Sequence, residues 1–295
     1  MAVSDEGSVP GVCEIARYGE AAPDLVIEIP HGATRTAEYD ALRARLAGDI
    51  AADLVDFFHV NTDAGAPEIG TALAEEWAAR GRSSVVIRSC IPRTFVDCNR
   101  VIDVSPEFYR EGKVTPGVPP WIRDPGDLAL LTALHADYVR LATAQIDAVC
   151  GGGGLALFLH TYAPRSVDVE VDDAIVANLH RAYLPGAQDR FPLRAEVDVI
   201  GRALDGTLQI PATLLGSLVS EFGAIGIAVA DGQTYPLHPS TQAYHHALRH
   251  PGRTVCVEIR RDLVADPFDP FVEMRISPER AWRIALPLGR ALATA

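Results

Sequence analysis

The chain has 295 residues, 48% of them apolar and 22% charged, a composition that allows a large buried core. Its formal charge of −13 argues against general affinity for nucleic acid or anionic membrane, while leaving room for a local basic pocket. No apolar run reaches the roughly 18 residues of a membrane span, and the first residues show no signal-peptide pattern. Five scattered cysteines (Cys13, Cys90, Cys98, Cys150, Cys256) form no CxxC pair, so free cytoplasmic thiols are the expectation.

In chain order, residues 1–24 read as an irregular lead-in. DLVIEIP (24–30) reads as a strand that ends in PHGATR and delivers His31. A helix is expected over about 36–47, and LVDFFHV (54–60) is a short strand or a helix end feeding the loop NTDAGAP. Pro67 opens a helix with Ile69, Leu73 and Trp77 on one face, stopped by Gly81. SSVVIRS (83–89) is the next strand, followed by CIPRTFVDCNR. Residues 103–123 carry too many prolines and glycines for a regular element and could cover a cleft.

Asp124 and Pro125 predict the start of a helix, as N-cap and first helical residue, with a stripe of Leu128, Leu131, His135, Tyr138 and Ala142. After Gly151–Gly154, the apolar run LALFLH (155–160) reads as a strand buried on both faces that ends in His160. Helices over about 170–183, 211–223 and 240–249 alternate with strands over 194–200, 225–230 and 254–260. Residues 262–295 read as proline-broken pieces. The alternation predicts βαβ units, hence a single α/β domain over 1–295, core about 24–262, with helices on both sides of a mostly parallel or mixed central sheet.

Three strands hand chemistry to the loops at their ends: His31, His160, and Glu258 with Arg260. In an open α/β sheet, ligands bind outside the carboxyl ends of the strands. Two imidazoles and a carboxylate form a hydrolytic zinc site with one position open, a further glutamate can take a proton from water, and Arg with Asn can hold a carboxylate. Each residue also has a plainer reading. Asp63 could cap the following helix, His135 could be a buried hydrogen-bonded core residue, and Glu258 could pair with Arg260. His245, His246 and His250 read as exposed or capping residues. No GxSxG occurs, which weakens a serine-hydrolase reading, and Cys150 and Cys256 fit core packing.

The segments IPHGA (29–33), TDAGA (62–66), RTFVDCNR (93–100), ALHADY (133–138), LHTYAPR (159–165) and VEIRRDL (257–263) resemble, in this order, those of the N-formylglutamate amidohydrolase (N-formylglutamate deformylase) family. That family is distantly similar to zinc carboxypeptidases and aspartoacylases, and the resemblance implies the phosphorylase/hydrolase-like zinc-exopeptidase fold. It also implies one zinc ion per chain, held by His31, His160 and a carboxylate. The carboxypeptidase relatives supply a glutamate three residues after the first histidine, where this chain has Thr34. Asp63 takes that role in our reading, with Glu38 as the alternative. Glu258 is then the general base, Arg100 or Arg93 stabilises the oxyanion, and Asn99, Arg100, Arg165 and His135 bind substrate. The implied reaction is hydrolysis of an N-acyl amino acid amide, N-formyl-L-glutamate or a related acidic compound. A different carboxylated amide, or a metal-free α/β binding protein, are the alternatives; metal analysis separates the last.

Overall fold

Two strands buried along their whole lengths, β3 (Leu25–Ile29) and β5 (Leu155–Tyr162), lie side by side and parallel in an eight-stranded sheet. The computed structural model describes residues 3–4, 7–102, 104–111, 115–167 and 169–295. The other strands are β1 (Val3–Ser4), β2 (Cys13–Tyr18), β4 (Ser84–Ser89), β6 (Val197–Val199), β7 (Val229–Asp231) and β8 (Thr254–Arg260), in the order β1-β2-β4-β3-β5-β8-β6-β7. The central four, β4, β3, β5 and β8, are parallel; β2 joins β4, and β6 joins β8, antiparallel. The sheet is therefore mixed around a parallel centre.

Alternation along the strands sorts side chains onto two apolar layers. Leu155, Leu157, Leu159, Val255, Val257 and Ile259 pack with α3 (Ala66–Ala79), α7 (Leu214–Gly223) and α9 (Pro278–Leu292), whose large inward residues include Trp77, Phe222 and Leu288. Ala156, Phe158, Cys256 and Val26 face the second layer. It holds α1 (Thr36–Arg43), α2 (Leu54–Asn61), α5 (Pro125–Gly151), α6 (Ile175–Ala182) and α8 (Gln242–Arg249). His160 and Glu258, at even positions of their strands, belong to this second face.

Several expectations are corrected. The lead-in contains β2, whose Cys13 and Ile15 are buried while Glu14 faces outward. For residues 54–60 the helical alternative holds over the strand, and the 103–123 segment contains α4 (Pro106–Glu111), held by the Tyr109 hydroxyl donating to the Val101 carbonyl. Residues 103 and 112–114 of that segment lie outside those described. On α5 the Asp124 cap holds, accepting from the Gly126 and Asp127 amides. Leu128, however, is 44% exposed, and the buried place in that first turn belongs to Asp127, which accepts from the Ala47 and Gly48 amides. Residues 278–292 are one helix with Pro287 inside it, and His246 is buried rather than exposed. Among the described residues no helix is long and apolar enough to cross a membrane.

Candidate metal centre

The site forms at the carboxyl edge of β3 and β5, where loops are stitched together by hydroxyls. Thr62 donates to the Ala33 carbonyl (2.7 Å) and Thr161 to the Ala64 carbonyl (2.9 Å). These bonds hold the His31, Asp63 and His160 segments at fixed separations. Gly32 is required by close approach: a Cβ there would stand 2.2 Å from the Arg88 side chain. Gly65, at φ +97°, makes the left-handed turn that lets the chain leave Asp63 and enter α3. Asp63 does not cap that helix with its side chain, which turns inward instead.

Three ligand atoms converge. Asp63 Oδ2 is 3.2 Å from His31 Nδ1 and 3.0 Å from His160 Nδ1, and the two ring nitrogens are 3.2 Å apart. All three residues are buried, and they form a group able to hold a metal ion. Ligands 2.0–2.1 Å from a tetrahedral ion stand about 3.3 Å apart, so this triangle fits a small divalent cation within a few tenths of an ångström. Burial alone would raise the Asp63 carboxyl, but His31 and His160 outweigh it and hold it well below the usual range. Burial likewise favours neutral His160, yet Cys256 and Asp63 beside it raise its pKa well above the ordinary value.

A second carboxylate orients the first histidine. Asp97 Oδ1 lies 2.7 Å from His31 Nε2 and also accepts from the Asn99 amide (2.9 Å). A proton on Nε2 leaves Nδ1 free to donate its lone pair toward a metal. Against its own burial, Arg100, His31 and Arg93 keep Asp97 ionised, far below the usual pKa. Arg93 bridges the two acids, 3.0 Å from Asp97 Oδ2 and 3.5 Å from Asp63 Oδ1, while Arg261 reaches Asp63 at 3.8 Å from beneath. Sequence reasoning passed over Asp97 and Arg261. The DCNR segment held the first in view, but nothing local tied it to His31.

Glu258 sits directly across from His160 in the β5–β8 register. Its Oε2 is buried without a hydrogen-bond partner. The alternative Glu258–Arg260 pair does not form: Arg260 binds Asp262 (2.7 Å) and the Arg194 carbonyl (3.0 Å). Burial is the main reason the Glu258 pKa is raised, opposed by His160 and Arg194.

The remaining residues are spread around this centre. Arg100 is buried and donates to the Thr115 carbonyl (3.2 Å), with Asp97 at 3.7 Å. Asn99 accepts weakly from the Ala243 amide (3.5 Å). His135 Nε2 lies 2.8 Å from the Arg100 carbonyl, which ties it to the backbone of that arginine. Arg165 donates to the Phe191 carbonyl (2.8 Å) and pairs with Asp189 at the surface (3.2 Å). Glu38 accepts from the Thr34 and Arg35 amides and pairs with Arg88, outside the ligand triangle.

No family model matches the chain, and no curated protein does. Among solved structures, the chain is similar to N-formylglutamate amidohydrolase from Ralstonia eutropha JMP134, with a TM-score of 0.58 at 17% identity, covering 94% of this chain and 98% of that one. It is similar also to a gene product of Agrobacterium tumefaciens, with a TM-score of 0.56 at 18% identity, covering 96% of this chain and 94% of the other. At these identities the likeness establishes a shared fold over nearly the whole chain.

Proposed function

We propose that the chain is a zinc-dependent amidohydrolase that cleaves the amide bond of an N-acyl amino acid, with N-formyl-L-glutamate or a related acidic compound as substrate. The observation that carries this reading is the half-buried Glu258 carboxylate, set in register with His160 beside the ligand triangle, whose Oε2 is buried without a hydrogen-bond partner among the described residues. A buried acid left without a partner is costly unless it serves a reaction. The fold shared with an N-formylglutamate amidohydrolase supports the same reading.

His31, Asp63 and His160 would hold the ion, which supplies Lewis acidity toward the amide carbonyl and lowers the pKa of a water toward 7. Glu258 then takes a proton from water and delivers it to the leaving amine; a raised pKa suits a group that must both accept and release a proton near neutrality. Arg93, a cation beside both acids, would stabilise the negative charge that develops on the carbonyl oxygen, a role Arg100 could share. Asn99 and Arg100 read the α-carboxylate, with His135 fixing the Arg100 backbone. The second carboxylate falls to arginines beyond the end of β5, the side on which Arg165 stands. Cytoplasmic catabolism of acylated amino acids is the setting this chemistry suits.

Purified protein loaded with zinc, assayed against N-formyl, N-acetyl and carboxylate-free amides, tests the proposal. Turnover confined to N-acylated acidic amino acids supports it. Equal turnover of neutral amides, or none at all in zinc-loaded protein, contradicts it.

A further inference from the structure

The strand β6 runs antiparallel to β8, with Val197 opposite Ile259. Its lead-in residues, Arg194 to Glu196, are therefore carried to the same sheet edge at which β5 and β8 end. There the Arg194 carbonyl accepts from Arg260 (3.0 Å), and the Glu196 carbonyl accepts from the Arg260 amide (2.9 Å). The Arg194 guanidinium lies 5.0 Å from the ring of Tyr162, a residue two positions after His160 and on the same face of β5.

Among the described residues its hydrogen-bond partners are neutral. Nε donates to Ser166 Oγ (3.0 Å), one terminal nitrogen to the Ala163 carbonyl (3.4 Å) and the other to the Tyr235 hydroxyl (3.0 Å). Among the described residues, no carboxylate pairs with it. The other arginines around this edge differ: Arg93 and Arg100 face Asp97, Arg165 pairs with Asp189, and Arg260 with Asp262. Tyr235 is itself held in place. Buried Asp198, cross-strand neighbour of Glu258, accepts from the Gln233 and Thr234 amides just before it.

We propose that Arg194, with the Tyr235 hydroxyl, is a carboxylate-binding subsite that receives the side-chain carboxylate of an acidic N-acyl amino acid; this rests on the hydrolase reading above. A planar guanidinium seated on an aromatic ring keeps its donor edge oriented, and a carboxylate accepts two parallel N–H bonds from it. The weak 3.4 Å bond to Ala163 is the one most readily exchanged for such a ligand. Arg165, by contrast, already donates to the Phe191 carbonyl and pairs with Asp189.

The test compares zinc-loaded wild-type protein with Arg194→Gln, Arg194→Lys and Tyr235→Phe. Glutarate binding is measured by calorimetry, and kcat and KM are measured on N-formyl-glutamate and on N-formyl-norvaline, which lacks the second carboxylate. Arg194→Gln is expected to weaken glutarate binding and raise KM for N-formyl-glutamate by roughly 30-fold or more. The norvaline compound, zinc content and denaturant midpoint should stay within about twofold of wild type, with partial recovery in Arg194→Lys. Equal losses on both substrates, or glutarate binding that is absent in wild type or unchanged in the variant, would overturn the assignment. Glutarate binding that depends on Arg194 upholds the subsite even where no amide is turned over, a result that would sink the hydrolase reading alone.

Discussion

Nε2 of His31 lies 2.7 Å from Oδ1 of Asp97, while the opposite ring nitrogen faces Asp63 and His160. One imidazole thus joins a metal-ligand triangle to a carboxylate that sets its tautomer. Partners of this kind typically contribute 10–100-fold to metal affinity. The Asp97→Asn protein is expected to bind zinc roughly 10–100-fold more weakly, since asparagine keeps the shape and loses the charge. Competition with a chelating dye measures it, and unchanged affinity in a folded variant would remove Asp97 from the site.

Metal binding should also release a proton. Burial favours the neutral ring of His160, but Cys256 and Asp63 beside it outweigh burial and raise its pKa, which favours a proton on the ring in the metal-free protein. A ring that donates its lone pair to zinc must give that proton up. Calorimetric titration in two buffers of different ionisation enthalpy should show release of about one proton per ion, and an affinity that climbs with pH. Identical heats in both buffers would contradict this.

Glu28 offers a separate pH signature. It is buried on β3, accepts from the Tyr138 hydroxyl (2.6 Å), and burial pushes its pKa up to about 7. A raised acid binds its proton more tightly folded than unfolded. Its contribution is therefore complete below the unfolded value near 4.5 and is lost as pH rises through 7. The stability of Glu28→Gln relative to wild type should rise over that window, by up to about 3 kcal/mol. Denaturant midpoints of both proteins from pH 4.5 to 8 check it; a flat difference would show that Glu28 titrates normally.

How much of this was legible in the sequence depends on distance along the chain. His31 and His160 stand out because apolar runs on β3 and β5 end abruptly in polar residues, and such strand ends are where α/β sheets place ligands. The helix starting at Pro125 is equally plain, because its cap is local. β2 was missed because it lies near the sheet margin, and Glu14 and Arg17 within it dilute the apolar signal. α9 was missed because Pro287 reads as a break, although Ala281, Ile284, Ala285, Leu288 and Leu292 keep helical spacing around it. Asp97 and Arg194 could not be found this way. The first meets a residue 66 positions away, and the second owes its place to the antiparallel turn of β6.

The Glu258→Gln protein tests the central claim most directly. Glutamine preserves shape and one oxygen, so only the proton-accepting capacity is lost. With kcat, zinc content and denaturant midpoint measured on one preparation, we expect kcat on N-formyl-glutamate to fall by roughly 10²–10⁴-fold. Zinc content and the midpoint should match wild type, because Glu258 lies outside the His31, Asp63 and His160 triangle and, among the described residues, forms no ion pair. A folded, zinc-loaded Glu258→Gln protein that retains near-normal kcat would contradict the proposed mechanism.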